Sequence, residues 1–207
     1  MLSLRIAAVS AALAFGFAGA ANAAFPIYPL IGTENPAVYD FNAMSNGTLI
    51  GYFAGSDAGD DSDFTVTIDG MGGLAHIGPN HSTAVGTSFN FGAVTAGQAI
   101  LLTLHDLTTG VDISSTPALN AGGFQAVYAT AYAGGDAGIP AGIFVTFEDR
   151  GATGDRDYND YSFVFTNLST TTFNGGVPEP ATWAMMIMGF TGMGAVIRRR
   201  RTALARV

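Results

Sequence analysis

Phe64-Thr65-Val66-Thr67-Ile68-Asp69 alternates without a break. In an extended chain successive side chains point to opposite faces, so Phe64, Val66 and Ile68 share one face while Thr65, Thr67 and Asp69 share the other. The spacing predicts a half-buried strand. Tyr161-Ser162-Phe163-Val164-Phe165-Thr166 repeats the pattern with a heavily aromatic face. Residues 48–54 and 88–94 alternate more weakly. Residues 99–107, 124–132 and 143–147 are rich in the β-branched and aromatic side chains that pack on a pleated surface. Clusters of Gly, Asn, Asp, Ser and Pro separate these runs, as turn chemistry requires. Seven or so short strands, no amphipathic helix of ten residues and no internal repeat predict an all-β domain. Its expected architecture is an antiparallel β-sandwich or a jelly-roll-like domain.

Composition narrows the function. The chain has 207 residues, of which 48% are hydrophobic and 12% charged. That is about half the charge of an ordinary globular domain. It contains no Lys, and six of its eight Arg lie near the two ends. Between Ala24 and Val177 only Arg150 and Arg156 face fifteen acids. So acidic a segment argues against a nucleic-acid partner, whose phosphates need a basic face. The absence of Cys excludes disulfides, a thiol nucleophile and Cys-ligated metal centres.

Both ends look like addresses. Residues 1–23 combine Arg5, an apolar run and the small-residue site Ala21-Asn22-Ala23, the pattern of a signal peptide cut by signal peptidase after Ala23. At the other end, residues 181–197 are uncharged and would rise roughly 25 Å as a helix, just enough for a bilayer core. Arg198 to Arg201 follow at once and should stay cytoplasmic, with Trp183 at the opposite interface. This predicts a single transmembrane helix at 181–197. The domains expected are therefore a β-sandwich over 24–168, a polar tether over 169–177 and a terminal signal over 178–207. Residues 24–38, with Pro26, Pro29 and Pro36, read as an irregular or edge-strand lead-in.

The order Pro178-Glu179-Pro180, Trp183-Ala184, a Met- and Gly-rich span and the cluster Arg198, Arg199, Arg200, Arg201 resembles the PEP-CTERM sorting signal. The resemblance implies export across the inner membrane of a Gram-negative bacterium, transient anchoring in the membrane, and cutting near Pro-Glu-Pro by an exosortase. It also implies a setting of exopolysaccharide and biofilm, at the cell surface or outside the cell.

Nine of the fifteen acids fall in two loops. Asp57, Asp60, Asp61 and Asp63 lead into the Phe64 strand, while Glu148, Asp149, Asp155, Asp157 and Asp160 lie between two aromatic strands. Crowded carboxylates are unfavourable unless water, Arg or a cation neutralises them. Asp155, Asp157 and Asn159 are spaced by two, so a tight loop can aim alternate oxygens at one point, as calcium sites do. Gly151 and Gly154 allow such a turn. The pattern is not an EF-hand, because the Gly and the distant Glu are missing and strands flank it. The other reading of the same residues pairs Arg150 and Arg156 with neighbouring carboxylates and uses Asn159 and Asp160 as turn caps. Residues 147–163 also resemble the end of an uncharacterised adhesin-associated β-rich domain with a DxDYND motif, which implies metal binding through the acids.

Other chemistry is sparse. His76 and His81 share a Gly/Pro/Asn loop, and His105 is the third histidine. No sequence motif pairs a nucleophile with a base, so the expected role is non-enzymatic. Tyr128, Tyr132, Tyr158 and Tyr161 suit either a sugar-stacking face or the core, and strand aromatics belong more often to the core. The function expected is a calcium-stabilised structural or adhesive surface component. The alternatives are a polysaccharide-binding module and, third, a secreted glycoside hydrolase.

Overall fold

The computed structural model describes residues 24–72 and 74–174. The expected signal peptide, with Ala21 and Ala23, and the terminal segment in which a 181–197 helix is expected lie outside the described residues. No helix among the described residues is long and apolar enough to cross a membrane. Their regular structure is eleven strands and four single turns of 3-10 helix.

The strands are β1 (Ala37–Ala43), β2 (Gly47–Gly55), β3 (Ser62–Ile68), β4 (Met71–Gly72), β5 (Ser88–Val94), β6 (Ile100–Asp106), β7 (Val111–Ser114), β8 (Val127–Tyr132), β9 (Gly142–Phe147), β10 (Tyr161–Thr166) and β11 (Leu168–Asn174). One sheet has the order β5-β2-β10-β9-β8, a second the order β4-β3-β6-β7, and β1 pairs with β11. Every pairing is antiparallel. An Asn42↔Ala99 bridge ties β1 to the chain entering β6, so the β1-β11 ribbon adjoins the second sheet. The all-β, sandwich-like expectation holds.

The alternation read in β3 and β10 explains how the layers meet. Phe64 and Val66 from one sheet and Tyr161, Phe163 and Phe165 from the other are almost fully buried in one core. The Phe64 ring lies 4.8 Å from Phe163 and 5.6 Å from Phe147, centre to centre, within aromatic packing distance. The opposite face of β10 is covered as well. Val164 packs with Phe144, Tyr132 and Ile139, and Phe25 of the lead-in stacks on Tyr132 at 5.4 Å. A strand buried on both faces needs little polar alternation, and β10 accordingly carries Val164 where a half-exposed strand would carry a polar residue.

Gly142 opens β9 because it crosses close to the Phe165 backbone of β10, where any Cβ would collide with the carbonyl. The expected tether needs correcting. Residues 169–174 do not hang free, since β11 pairs with β1 from Ala37↔Asn174 to Ala43↔Leu168. Its run of Thr satisfies the backbone in a ladder instead of leaving it to water. Only Gly175, Gly176 and Val177 separate the last paired residue from Pro178.

Candidate metal centre

Residues 148–160 connect neighbouring antiparallel strands, so the loop must leave and return at one point. Phe147 faces Tyr161 across the ladder, and the Asp160 N–H donates to the Phe147 carbonyl at 3.2 Å. This closure brings Glu148, Asp149 and Asp160 together although eleven residues separate the ends of the trio. The remainder of the loop is bolted down from several sides. The Tyr158 hydroxyl donates to the Gln125 carbonyl at 2.7 Å and accepts from the Asn35 N–H at 2.9 Å. The Gly32 N–H reaches the Arg156 carbonyl and the Asp57 N–H the Asn159 carbonyl, each at 3.1 Å.

Arg156 and Tyr158 both adopt left-handed backbone, with φ of 59° and 55°. For side-chain-bearing residues that conformation costs about 1–2 kcal/mol each. The turn folds Asp155 and Asp157 back towards Glu148. Each member of the trio Glu148, Asp155 and Asp157 offers an oxygen within 4.8 Å of the others, as does each member of Glu148, Asp149 and Asp160. Glu148 belongs to both. Gly154 makes room for it, because a Cβ there would sit on the Glu148 carboxylate.

The electrostatics follow from this crowding. Glu148 is 1% exposed. Burial, reinforced by the charges of Asp155 and Asp149, pushes its carboxyl up to about 7, partly offset by a hydrogen bond from the Arg156 backbone. Burial likewise raises Asp160, Asp149 and Asp157. Asp149 is raised further by Asp60 and Asp106, and Asp157 by Asp155. Glu148 Oε2 and Asp157 Oδ1 are buried without a hydrogen-bond partner.

No arginine forms an ion pair with this group among the described residues, although the nearby Arg150 charge lowers Asp149 somewhat. Arg150 turns away to Asp60, with Nε 2.8 Å from Oδ2 and Nη2 2.6 Å from Oδ1. Arg156 forms no ion pair among the described residues, and its Nε is itself buried without a partner. The capping part of the alternative reading is present, since Asp160 accepts the Asp149 N–H at 2.8 Å. Asn159 donates to Asp157 at 2.5 Å, so it steadies a candidate ligand.

The first acidic loop is not gathered. Asp60 meets Arg150, Asp63 meets His76 at 3.0 Å, Asp61 lies 3.6 Å from His81, and Asp57 is exposed. Asp60 instead bolts its loop to the second one. Arg150→Ala strands that buried carboxylate and is expected to lower the thermal midpoint, with Asp60→Asn in the same chain recovering part of the loss. Equal midpoints for the single and double variants would refute this account.

The pairing of His76 with Asp63 and His105, in place of His81, was not legible from sequence spacing, because it depends on strand register. Of the four tyrosines singled out in the sequence, Tyr132, Tyr158 and Tyr161 are buried, as core membership expects, and Tyr128 is half-buried. A cleft of about 350 Å³ between β7 and the 148–153 segment is lined by Asp106, Asp112, Phe124, Asp149 and Arg150.

Neither the curated proteins nor the solved structures contain a match to this chain. The resemblance of residues 147–163 to the adhesin-associated domain draws no support from these comparisons. The family model described as the PEP-CTERM protein-sorting motif matches residues 176–201, which hold Pro178, Glu179, Pro180, Trp183, Ala184 and Arg198 to Arg201. Processing by an exosortase is what that motif implies. The chain therefore carries the PEP-CTERM protein-sorting motif, the mark of an exported protein sorted by an exosortase.

Proposed function

We propose that the exported domain is a non-catalytic structural or adhesive component of an exopolysaccharide or biofilm matrix, stiffened by calcium at the 148–160 loop. The observation that carries the calcium reading is the buried, unpartnered Oε2 of Glu148 among Asp149, Asp155, Asp157 and Asp160. A buried carboxylate without a partner is costly, and a hard cation surrounded by oxygens is the partner that this all-oxygen donor set fits. Calcium fits better than magnesium because the two trios offer many oxygens on a turn without octahedral order. The matrix setting rests on the association of the sorting signal with exopolysaccharide-producing bacteria.

Calcium added to the cation-stripped full chain in detergent at pH 8 is expected to raise its thermal midpoint. A ligand that binds only the folded state contributes ~2.7 kcal/mol at a hundredfold excess over Kd. That corresponds to a rise of roughly 5–10 °C for a chain of this size. Glu148→Gln is expected to raise the midpoint of the stripped protein, by relieving repulsion, and to abolish the calcium response. Identical melting in calcium and in chelator would remove the calcium claim. Processing has its own readout: the native product is expected to lack Arg198 to Arg201 by mass spectrometry, and an intact tail would contradict exosortase cutting.

A polysaccharide-binding role is favoured by one feature, the cleft beside Asp112 and Arg150. Retention of the calcium-loaded chain on a glycan array would support it over the purely structural role.

A further inference from the structure

A different set of donors meets on the outer face of the second sheet. Asp63 on β3 faces His105 on β6, and His105 faces Asp112 on β7. Their strand neighbours Phe64, Leu104 and Ile113 point into the core, so alternation sends these three outward in one row. His76 joins them from the segment that follows β4 along the same side of β3, held there by the Phe64↔Ile77 bridge. Its ring lies 4.6 Å from that of His105, and its Nδ1 is 3.0 and 3.1 Å from the two Asp63 oxygens.

The hydrogen bonds already orient these groups for coordination. His105 Nδ1 is 2.6 Å from Asp112 Oδ1. A carboxylate only accepts, so the imidazole proton sits on Nδ1 and the lone pair on Nε2, where the Thr65 hydroxyl now donates at 2.6 Å. A carboxylate behind the far nitrogen is how metal-bound imidazoles are commonly held. Asp63 is 6% exposed and its oxygens bond only the His76 ring among the described residues. One ligand atom from each of Asp63, His76 and His105 lies within 4.8 Å of the others. In a tetrahedral site with bonds of about 2.0–2.1 Å the donors would stand roughly 3.4 Å apart. The His76 side chain, 63% exposed, has room to make that adjustment.

We propose that Asp63, His76 and His105 form a site for a divalent transition-metal ion of zinc type, with Asp112 orienting His105 and water completing the coordination. Two imidazoles and one carboxylate suit such an ion and disfavour calcium, which takes oxygen donors. The site is independent of the acidic loop and does not rest on the proposed calcium binding.

The test is calorimetric titration of zinc chloride into the metal-stripped full chain, free of any polyhistidine tag, in saturating calcium. One equivalent is expected to bind. His76→Ala and His105→Gln should each weaken binding at least tenfold, and Asp112→Asn should weaken it by ~10-fold, as loss of an orienting partner does. His81→Ala, which removes the remaining histidine, should change nothing. Cobalt offers a second readout, because a four-coordinate site gives visible bands that His76→Ala should remove; His76 is exposed enough for that variant to fold. An isotherm unchanged by His76→Ala and His105→Gln together would overturn the assignment, as would an absence of zinc binding. Zinc uptake that disappears in Glu148→Gln but survives in His76→Ala would place the ion in the acidic loop and equally overturn it.

Discussion

Stripped of divalent cations, the protein is expected to lose stability steadily as the pH rises from 5 to 9, and calcium is expected to flatten that slope. The folded chain holds Glu148 at about 7 against an ordinary value of 4.5, so between those values the native carboxyl keeps a proton that the unfolded one releases. A raised carboxyl contributes its stability below the unfolded value and loses it as the pH climbs through the folded one. A shift of that size corresponds to at most about 3 kcal/mol, and solvent screening brings the contribution below that. Asp160, Asp149 and Asp157 are shifted in the same direction, so they steepen the fall. Most carboxylates in proteins act in the opposite sense, because pairing lowers them. Urea unfolding across the pH range, with and without calcium, reads the effect. A flat profile without cations would show that the acids of the loop are solvated and not crowded.

Phe64→Ala is expected to destabilise the domain by about 3–5 kcal/mol, the usual cost of emptying a fully buried phenylalanine site. Phe64 is 0% exposed, and its ring packs against Phe147, Tyr161, Phe163 and Phe165 of the opposing sheet. Those neighbours are held by ladder pairing on both sides of β10, so they have little freedom to close over the gap. Phe64→Leu, which nearly conserves volume, should cost under about 1.5 kcal/mol. Denaturant midpoints separate the two variants. A loss below 1 kcal/mol for the alanine variant would mean that the sheets are not joined through this residue.

Much of the architecture was legible because apolar alternation survives wherever a strand has one wet face, while β10, covered on both, is marked by its aromatic and β-branched residues. β5 and β10 match the residues read from the sequence, while β2, β3, β6 and β9 differ by one or two at their ends. β8 starts at Val127 instead of Phe124 because the preceding residues are taken up elsewhere: Gln125 donates to the Ala37 carbonyl and also accepts from the Val127 N–H. β1 was hidden by three prolines in the lead-in, although Tyr39, Phe41 and Ala43 alternate into the core. β11 was missed for a different reason. Its Thr170-Thr171-Thr172 run is β-branched but polar, and its pairing with a strand some 130 residues earlier leaves no local trace. The second acidic loop could be singled out from its composition, yet the central place of Glu148 depends on a hairpin closing on itself. The row Asp63, His105 and Asp112 needs the register of three strands, which spacing along the chain does not encode.

The pairing of β11 with β1 has a mechanical consequence. While the terminal signal is still held, any pull on it reaches the domain at Asn174, opposite Ala37. Tension along the strand loads seven residue pairs in shear, all at once, whereas a sideways pull would peel them singly from that first pair. The first pair is the reinforced one: Gln125 grips the Ala37 carbonyl, and the Asn35 side chain caps the Ala37 N–H while reaching the Val127 carbonyl at 2.8 Å. The exit seam is thus riveted where peeling would start, and drag on the exported domain is passed into the five-stranded sheet.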